Sequence, residues 1–397
     1  MAVFDRRAFL TTLGAGAALP AVAQAASFRG DLDAYPRVDY GLVLSGGGAK
    51  GAYEAGIVDA LAAGIPDGRP LRPYGGVAGT SIGALNGWFV SIGGYSAMRN
   101  LWMNVANDRV FRLKPQYAKI EDPSAGVATR LLEAMRLAFG IRKRVEGLCE
   151  TKPALEWIEK YVDPQAPTLL PFAWAVTNLT AQRSEYFYRL PAGISKSERD
   201  AVLRQFQYTL DPTSVVREAT DDILHRAIFA SACLPVVFDP IELPSADGSH
   251  TDQYCDGGVA ANTPLGFART VAHNVHVVLL TPPVTETAYP NAFEIGWSAY
   301  DTMQRHIFYT AIRSTYYETN AKRTMLQLPH DVLERYPDVL AFVESIADAS
   351  VSFIRPGKAL PVETTTFDDG ERIAQAYAMG MRDAAGGFTP YHPGIAL

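Results

Sequence analysis

Two short apolar runs in this chain each end in a glycine-rich turn and restart at once as an apolar helix, which restricts the fold more than any other feature. Tyr40-Gly-Leu-Val-Leu-Ser45 runs into Gly46-Gly47-Gly48-Ala49-Lys50-Gly51, after which Ala52 to Ala63 reads as a helix. Gly75-Gly76-Val77-Ala78 runs into Gly79-Thr80-Ser81-Ile82-Gly83, after which Ala84 to Ile92 reads as a second helix. Repeated strand, turn and helix units need a crossover between strands, so they favour a mostly parallel sheet covered by helices, an α/β fold.

The rest of the chain continues that pattern. Helices are expected at Tyr95–Val105, Ala125–Phe139 and Ala154–Tyr161, and strands at Phe172–Val176 and Glu185–Leu190 around an Asn178-Leu-Thr turn. A helix from Asp221 to Cys233 is stopped by Pro235, and the apolar strand Val275–Leu280 ends at Pro282-Pro283. A long helix fills much of Glu294–Lys322, with Tyr300, Met303, Ile307 and Ala311 marking a core face, an acyl channel being the lesser alternative. Val351–Ile354 reads as a late strand and Gly370–Arg382 as a last helix. No internal repeat or linker-like stretch interrupts residues 26–397, so one catalytic domain is the simplest division. With 397 residues, 48% of them hydrophobic, the chain can bury a large core.

Residues 1–25 read as a leader rather than as part of the fold. Arg6-Arg7 precedes Ala8-Phe9-Leu10 and an Ala/Gly/Leu stretch, and Ala23-Gln24-Ala25 has the small-x-small form of a cleavage site. The arginine pair and the glycine-diluted apolar stretch resemble a twin-arginine signal, with an ordinary secretory signal as the alternative; either implies export to the periplasm or beyond. Past residue 25 no apolar run is long enough to suggest a transmembrane span. A net charge of −6 with no long basic run argues against nucleic acid as a partner. The three cysteines, Cys149, Cys233 and Cys255, lack metal-ligand spacing and read as buried thiols, a Cys233 to Cys255 bridge being the lesser alternative.

The two glycine turns differ in chemistry. Gly46-x-Gly48-x-x-Gly51 can point backbone N–H groups at a phosphate or at a developing oxyanion. The Gly64-Ile-Pro-Asp-Gly-Arg turn after its helix is not the acidic strand end of a dinucleotide site, and no Ser or Thr follows Lys50 as a P-loop requires. Gly79-Thr80-Ser81-Ile82-Gly83 is a G-x-S-x-G motif between strand and helix, the setting of a nucleophile elbow; a serine capping a helix is the plainer reading. A serine hydroxyl needs a base, and Asp256-Gly257-Gly258 offers a carboxylate followed by glycines that permit a close turn.

These three motifs, in this order, resemble the patatin-like phospholipases, with Ala230-Ser231, Pro235, Asn262 and Pro264 as further echoes over residues 40–264. The resemblance implies a three-layer α/β/α sandwich and a Ser81–Asp256 dyad without histidine. It also implies an oxyanion hole in the Gly46, Gly47, Gly48, Ala49, Lys50, Gly51 loop, with Gly47 and Gly48 as donors. Ser81 would attack the ester carbonyl of a lipid, and neither metal nor cofactor is implied. A carboxylate is a weaker base than an imidazole, so this chemistry asks for a site that removes water from Asp256.

Two other readings compete. A Ser-His-Asp esterase would by chain order draw its histidine from His273, His276, His306, His330 or His392, with His392, in the C-terminal Pro-Tyr-His-Pro loop, as the best candidate. A non-catalytic lipid or nucleotide binder would use the glycine loop alone and leave Ser81 and Asp256 without a role. For the membrane, Val127, Leu131, Leu132, Met135, Ala138 and Phe139 share a helical face near Arg130, Arg136, Arg142, Lys143 and Arg144. Such a face either packs on the domain or docks on an anionic lipid surface.

Overall fold

The computed structural model describes residues 36–395 apart from positions 109, 113, 116–146, 262, 284–291 and 346. The expected leader, the amphipathic segment at 125–139 and Asn262 therefore lie outside the described residues.

The two expected units come first: β1 (Val38–Leu44), α1 (Gly51–Leu61), β2 (Tyr74–Thr80) and α2 (Ile82–Ile92). They are followed by α3 (Tyr95–Asp108), α4 (Thr151–Tyr161), β3 (Phe172–Asn178), β4 (Arg183–Arg189), α5 (Lys196–Tyr208) and β5 (Val215–Glu218). Next come α6 (Leu224–Ala232), the hairpin β6 (Ile241–Pro244) and β7 (Thr251–Asp256), α7 (Leu265–Val271) and β8 (Ala272–Val278). The chain closes with α8 (Ala292–Met325), α9 (His330–Glu334), α10 (Pro337–Ser345), β9 (Ser350–Ile354), α11 (Gly370–Ala384) and β10 (Thr389–Pro390).

The strands form one sheet in the order β10-β9-β8-β1-β2-β3-β4-β5, with β7 also attached to β3 and β6 beyond it. Its centre, from β9 through β8, β1 and β2 to β3, is parallel throughout. Side chains alternate between the two faces, as strand geometry dictates. Leu42, Leu44, Val77, Phe172 and Trp174 pack toward α1, α2, α3, α4, α6 and α11, whereas Val43, Ala78, Ala173 and Val277 pack toward α5, α7 and α8. The result is the three-layer α/β/α sandwich expected. No described helix is long and apolar enough to cross a membrane.

The departures have physical reasons. β6 and β7 are absent from the expected strands because the inward positions of β7 carry Asp252 and Tyr254, which do not read as a core face. Their burial depends on partners far away: Asn178 Nδ2 donates to Asp252 Oδ2 at 3.0 Å, and the Tyr254 hydroxyl donates to Glu185 Oε2 at 2.9 Å. α5 carries a capping box, Ser195 with Glu198, a local signal left unread. On α8 the buried face is Gln304, Phe308, Ile312, Thr315 and Thr319, whereas Met303 is exposed and Ile307 and Ala311 are half-buried, so the core face is rotated by one residue from the one expected. Three buried threonine and glutamine positions hide that stripe from a count of apolar residues. All three cysteines are buried free thiols, so the Cys233 to Cys255 bridge is not formed.

Candidate active site

The site is assembled by two strands that run toward each other along one edge of β3. β2 pairs in parallel until Thr80 lies opposite Ala175, and β7 then takes over that edge antiparallel, with Asp256 opposite Val176. The residue after β2 and the last residue of β7 are thereby brought face to face. Ser81 Oγ donates to Asp256 Oδ2 at 2.7 Å, and both residues are buried. The other carboxylate oxygen, Oδ1, accepts from the Gly258 N–H at 2.7 Å. A Cβ on Gly257 would come within 2.2 Å of the Ala175 carbonyl oxygen, so the turn after Asp256 has no room for a side chain.

Ser81 sits at φ 56 and ψ −127, a conformation that a non-glycine residue adopts only under constraint from its surroundings. Three features impose it. Ser81 N–H donates to the Ser231 hydroxyl at 2.8 Å, and that hydroxyl donates on to the Ala175 carbonyl at 2.6 Å. Gly79 and Gly83 let the backbone fold on itself, since a Cβ would lie 2.2 Å from the Gly83 carbonyl oxygen in the first case and 2.3 Å from that of Leu44 in the second. Ala84 N–H then donates to the Ser81 carbonyl at 2.9 Å as α2 begins. The Ser81 side chain makes no capping bond to its own helix, which removes the plain N-cap reading and leaves the hydroxyl committed to Asp256.

Ser231 was legible only as an echo; its clamp on the elbow joins residues 150 apart in sequence. Thr80 and Thr177 were missed altogether. Thr80 Oγ1 donates to the Ala261 carbonyl at 2.8 Å, and Thr177 Oγ1 to that of Asp256 at 2.9 Å, so both ends of the strand junction are pinned. Asp256 N–H also donates to the Cys233 carbonyl at 2.8 Å. Burial and the nearby Asp256 carboxylate push the Cys255 thiol up to about 12.

The glycine loop lies beside the elbow. Gly46 and Gly47 follow β1, Gly48–Lys50 form a single 3-10 turn, and Gly51 opens α1. Gly48 is at φ +57, and a Cβ there would lie 2.1 Å from the Thr364 carbonyl oxygen. That same carbonyl accepts from the Ala49 N–H at 2.9 Å, so Ala49 is spent on structure. Lys50 Nζ lies 3.4 Å from Asp301 Oδ2 and 3.8 Å from Glu363 Oε2, an engagement with α8 and the C-terminal segment. Gly48 and Ser81 together line a cavity whose other walls include Leu85, Phe111, Trp157 and Phe367. Apart from Ser81 and the Trp157 indole, every side chain lining it is hydrocarbon.

Under the loop, Glu54 of α1 is completely buried and accepts from Asn86 Nδ2 at 2.8 Å, while Asn86 Oδ1 accepts from Trp102 Nε1 at 2.9 Å. Burial raises the Glu54 carboxyl well above its ordinary value, against the opposing hydrogen bonds from Asn86 and the Ser45 N–H. The folded protein therefore holds a proton that the unfolded chain releases. Its stabilising effect is full below the unfolded value and is lost as pH rises toward the raised one. Glu54→Gln keeps the shape without the charge and should flatten the decline in melting temperature as pH rises above the ordinary carboxylate range. Thermal melts of both proteins over that rise in pH provide the check; equal slopes would show that Glu54 does not titrate there.

An α/β/α sandwich with a serine on a strained turn, bonded directly to a buried aspartate beside a glycine loop, is a hydrolase-like scaffold. The model of the patatin-like phospholipase family matches residues 42–269, more than half of the chain, which belongs to this family, one whose general activity is lipid acyl hydrolysis. Among solved structures, the chain is similar to VipD from Legionella pneumophila at 16% identity and a TM-score of 0.35, over 90% of this chain and 68% of that one. No curated protein matches the sequence.

Proposed function

We propose that the chain cleaves carboxylic esters of lipids through a Ser81–Asp256 dyad and an acyl-enzyme intermediate. The observation that carries this reading is the 2.7 Å contact between Ser81 Oγ and Asp256 Oδ2 at the end of an apolar cavity. In the first half-reaction Asp256 takes the hydroxyl proton as Ser81 Oγ attacks the ester carbonyl. The oxyanion so formed is held by the N–H groups of Gly47 and Gly48, reinforced by the positive end of α2. Collapse breaks the bond to the leaving alcohol, which receives the proton from Asp256. Water then attacks the acyl-enzyme, with Asp256 again as proton acceptor, and the fatty acid leaves as Ser81 recovers its proton.

The buried position of Asp256 meets the demand for a desolvated base, and its Oδ1 bond to Gly258 N–H holds the other oxygen toward Ser81. Lys50 acts on the loop's position through Asp301 and Glu363, and Ala49 through Thr364, while Gly47 and Gly48 take the donor role that the family resemblance implies. Neither a metal nor a cofactor enters any step. We further propose that the leader expected at residues 1–25 exports this activity to the periplasm or the cell exterior.

The reading is tested by initial rates on soluble nitrophenyl esters beside fatty-acid release from phosphatidylcholine vesicles. A fluorophosphonate probe should also modify Ser81, located by peptide mass. Hydrolysis with Ser81 labelled is the expected result. A folded protein that neither hydrolyses an ester nor takes the probe would instead be a binder.

A further inference from the structure

The family match ends at residue 269, yet one wall of the cavity comes from the far C-terminal part of the chain. Between β9 and α11 the chain crosses back over the glycine loop as a strap. Leu360, Val362 and Phe367 of this strap are buried in the same core as α1 and α2. The Thr364 carbonyl receives the Ala49 N–H, and Glu363 approaches Lys50, so the strap is fastened to the loop at two successive residues. Three residues on, Phe367 lies over the cavity. Its ring stacks on Trp102 (centroids 6.2 Å, interplanar angle 18°) and on Phe111 (5.0 Å, 21°), and meets Trp157 edge to face at 6.2 Å. Asp369 then caps α11 by accepting from the Arg372 N–H at 3.0 Å, which fixes where the strap must end.

We propose that Phe367 sets the length of acyl chain the site accepts. This rests on the reading of the cavity as an acyl site. A cavity walled by hydrocarbon selects by volume, since it offers an alkyl chain no directional bond. Phe367 is held by aromatic neighbours on three sides and tethered at Thr364 and Asp369, so its ring is a fixed wall. Removing the ring leaves room that its packed neighbours fill only in part. That room admits further methylenes, each of which contributes about fourfold when buried.

The experiment is kcat/KM for the nitrophenyl esters of butyrate, octanoate, dodecanoate and hexadecanoate, with wild type and the Phe367→Ala, Phe367→Leu and Phe367→Trp variants. The ratio of dodecanoate to butyrate should rise on the order of tenfold in Phe367→Ala, corresponding to about two methylenes. It should rise less in Phe367→Leu and fall in Phe367→Trp. Leucine keeps the core filled, so it reports even where alanine fails to fold, as judged by circular dichroism. An active wild type whose ratio stays within about twofold in every folded variant overturns the strap assignment and leaves the hydrolase reading standing. A wild type inactive on all four esters overturns that reading, and the strap assignment with it.

Discussion

Ser81→Ala should reduce ester hydrolysis by on the order of 10⁴ or more, leaving only the residual rate that the glycine loop and the cavity can supply. The hydroxyl is the only group at the elbow placed to bond a carbonyl carbon, and alanine leaves both the glycine loop and the cavity in position. The fold should survive. The backbone constraint at this residue comes from Ser231, Gly79 and Gly83, none of which depends on the Ser81 side chain. Asp256 keeps its bond from the Gly258 N–H and loses only the one from Ser81, a loss of about 1–2 kcal/mol for a buried acceptor. Rates, melting temperature and fluorophosphonate labelling on the same preparation separate the outcomes. Retained hydrolysis by a folded, unlabelled variant would remove Ser81 from the chemistry altogether.

The parts of this site that could be read from the sequence are those whose signals are local. Gly79-x-Ser81-x-Gly83 announces a sharp turn because its steric demand falls within five consecutive residues, and the strand and helix around it supply the context. Asp256 was legible by its own two glycines and by its order after the other motifs. What escaped reading depends on chain segments that meet only after folding. Ser231 holds the elbow across 150 residues, and nothing in a helix-ending Ala-Ser-Ala marks its hydroxyl for that use. β7 was missed because its inward side is polar, although its last residue is the one that meets Ser81. The strap is the extreme case. Thr364 and Phe367 sit in a stretch without periodicity, and they reach the glycine loop and the cavity only because β9 returns the chain beside β8, the neighbour of β1. Local sequence therefore specified the proposed reacting groups, and tertiary packing specified what holds and encloses them.

Asp256→Asn should cost about as much activity as the loss of Ser81, because in the proposed dyad the two residues act as a unit and their effects do not add. Asparagine is nearly isosteric, can still accept from the Gly258 N–H, and can keep a polar contact with Ser81, so the elbow should stay in place. What it lacks is the capacity to take the proton. The histidines that a triad would require are committed elsewhere or remote in fold position. His276 is bonded to the Tyr74 hydroxyl at 2.9 Å and stacked on Phe388 with ring centroids 4.0 Å apart, and burial lowers it to about 4. His330 faces Glu334 within α9 at 3.3 Å, and His273, His306 and His392 are exposed on β8, on α8 and after β10. Replacing each of the five by Gln should leave rates within about threefold, the scale of a surface or packing change of under 1 kcal/mol. In a Ser-His-Asp triad the pattern would be reversed: one histidine would become as indispensable as Ser81, and the aspartate variant would retain part of its activity. Initial rates for the six substitutions on one soluble ester, with the native fold verified by circular dichroism, discriminate the two. A single histidine whose replacement abolishes hydrolysis in a folded protein would overturn the dyad.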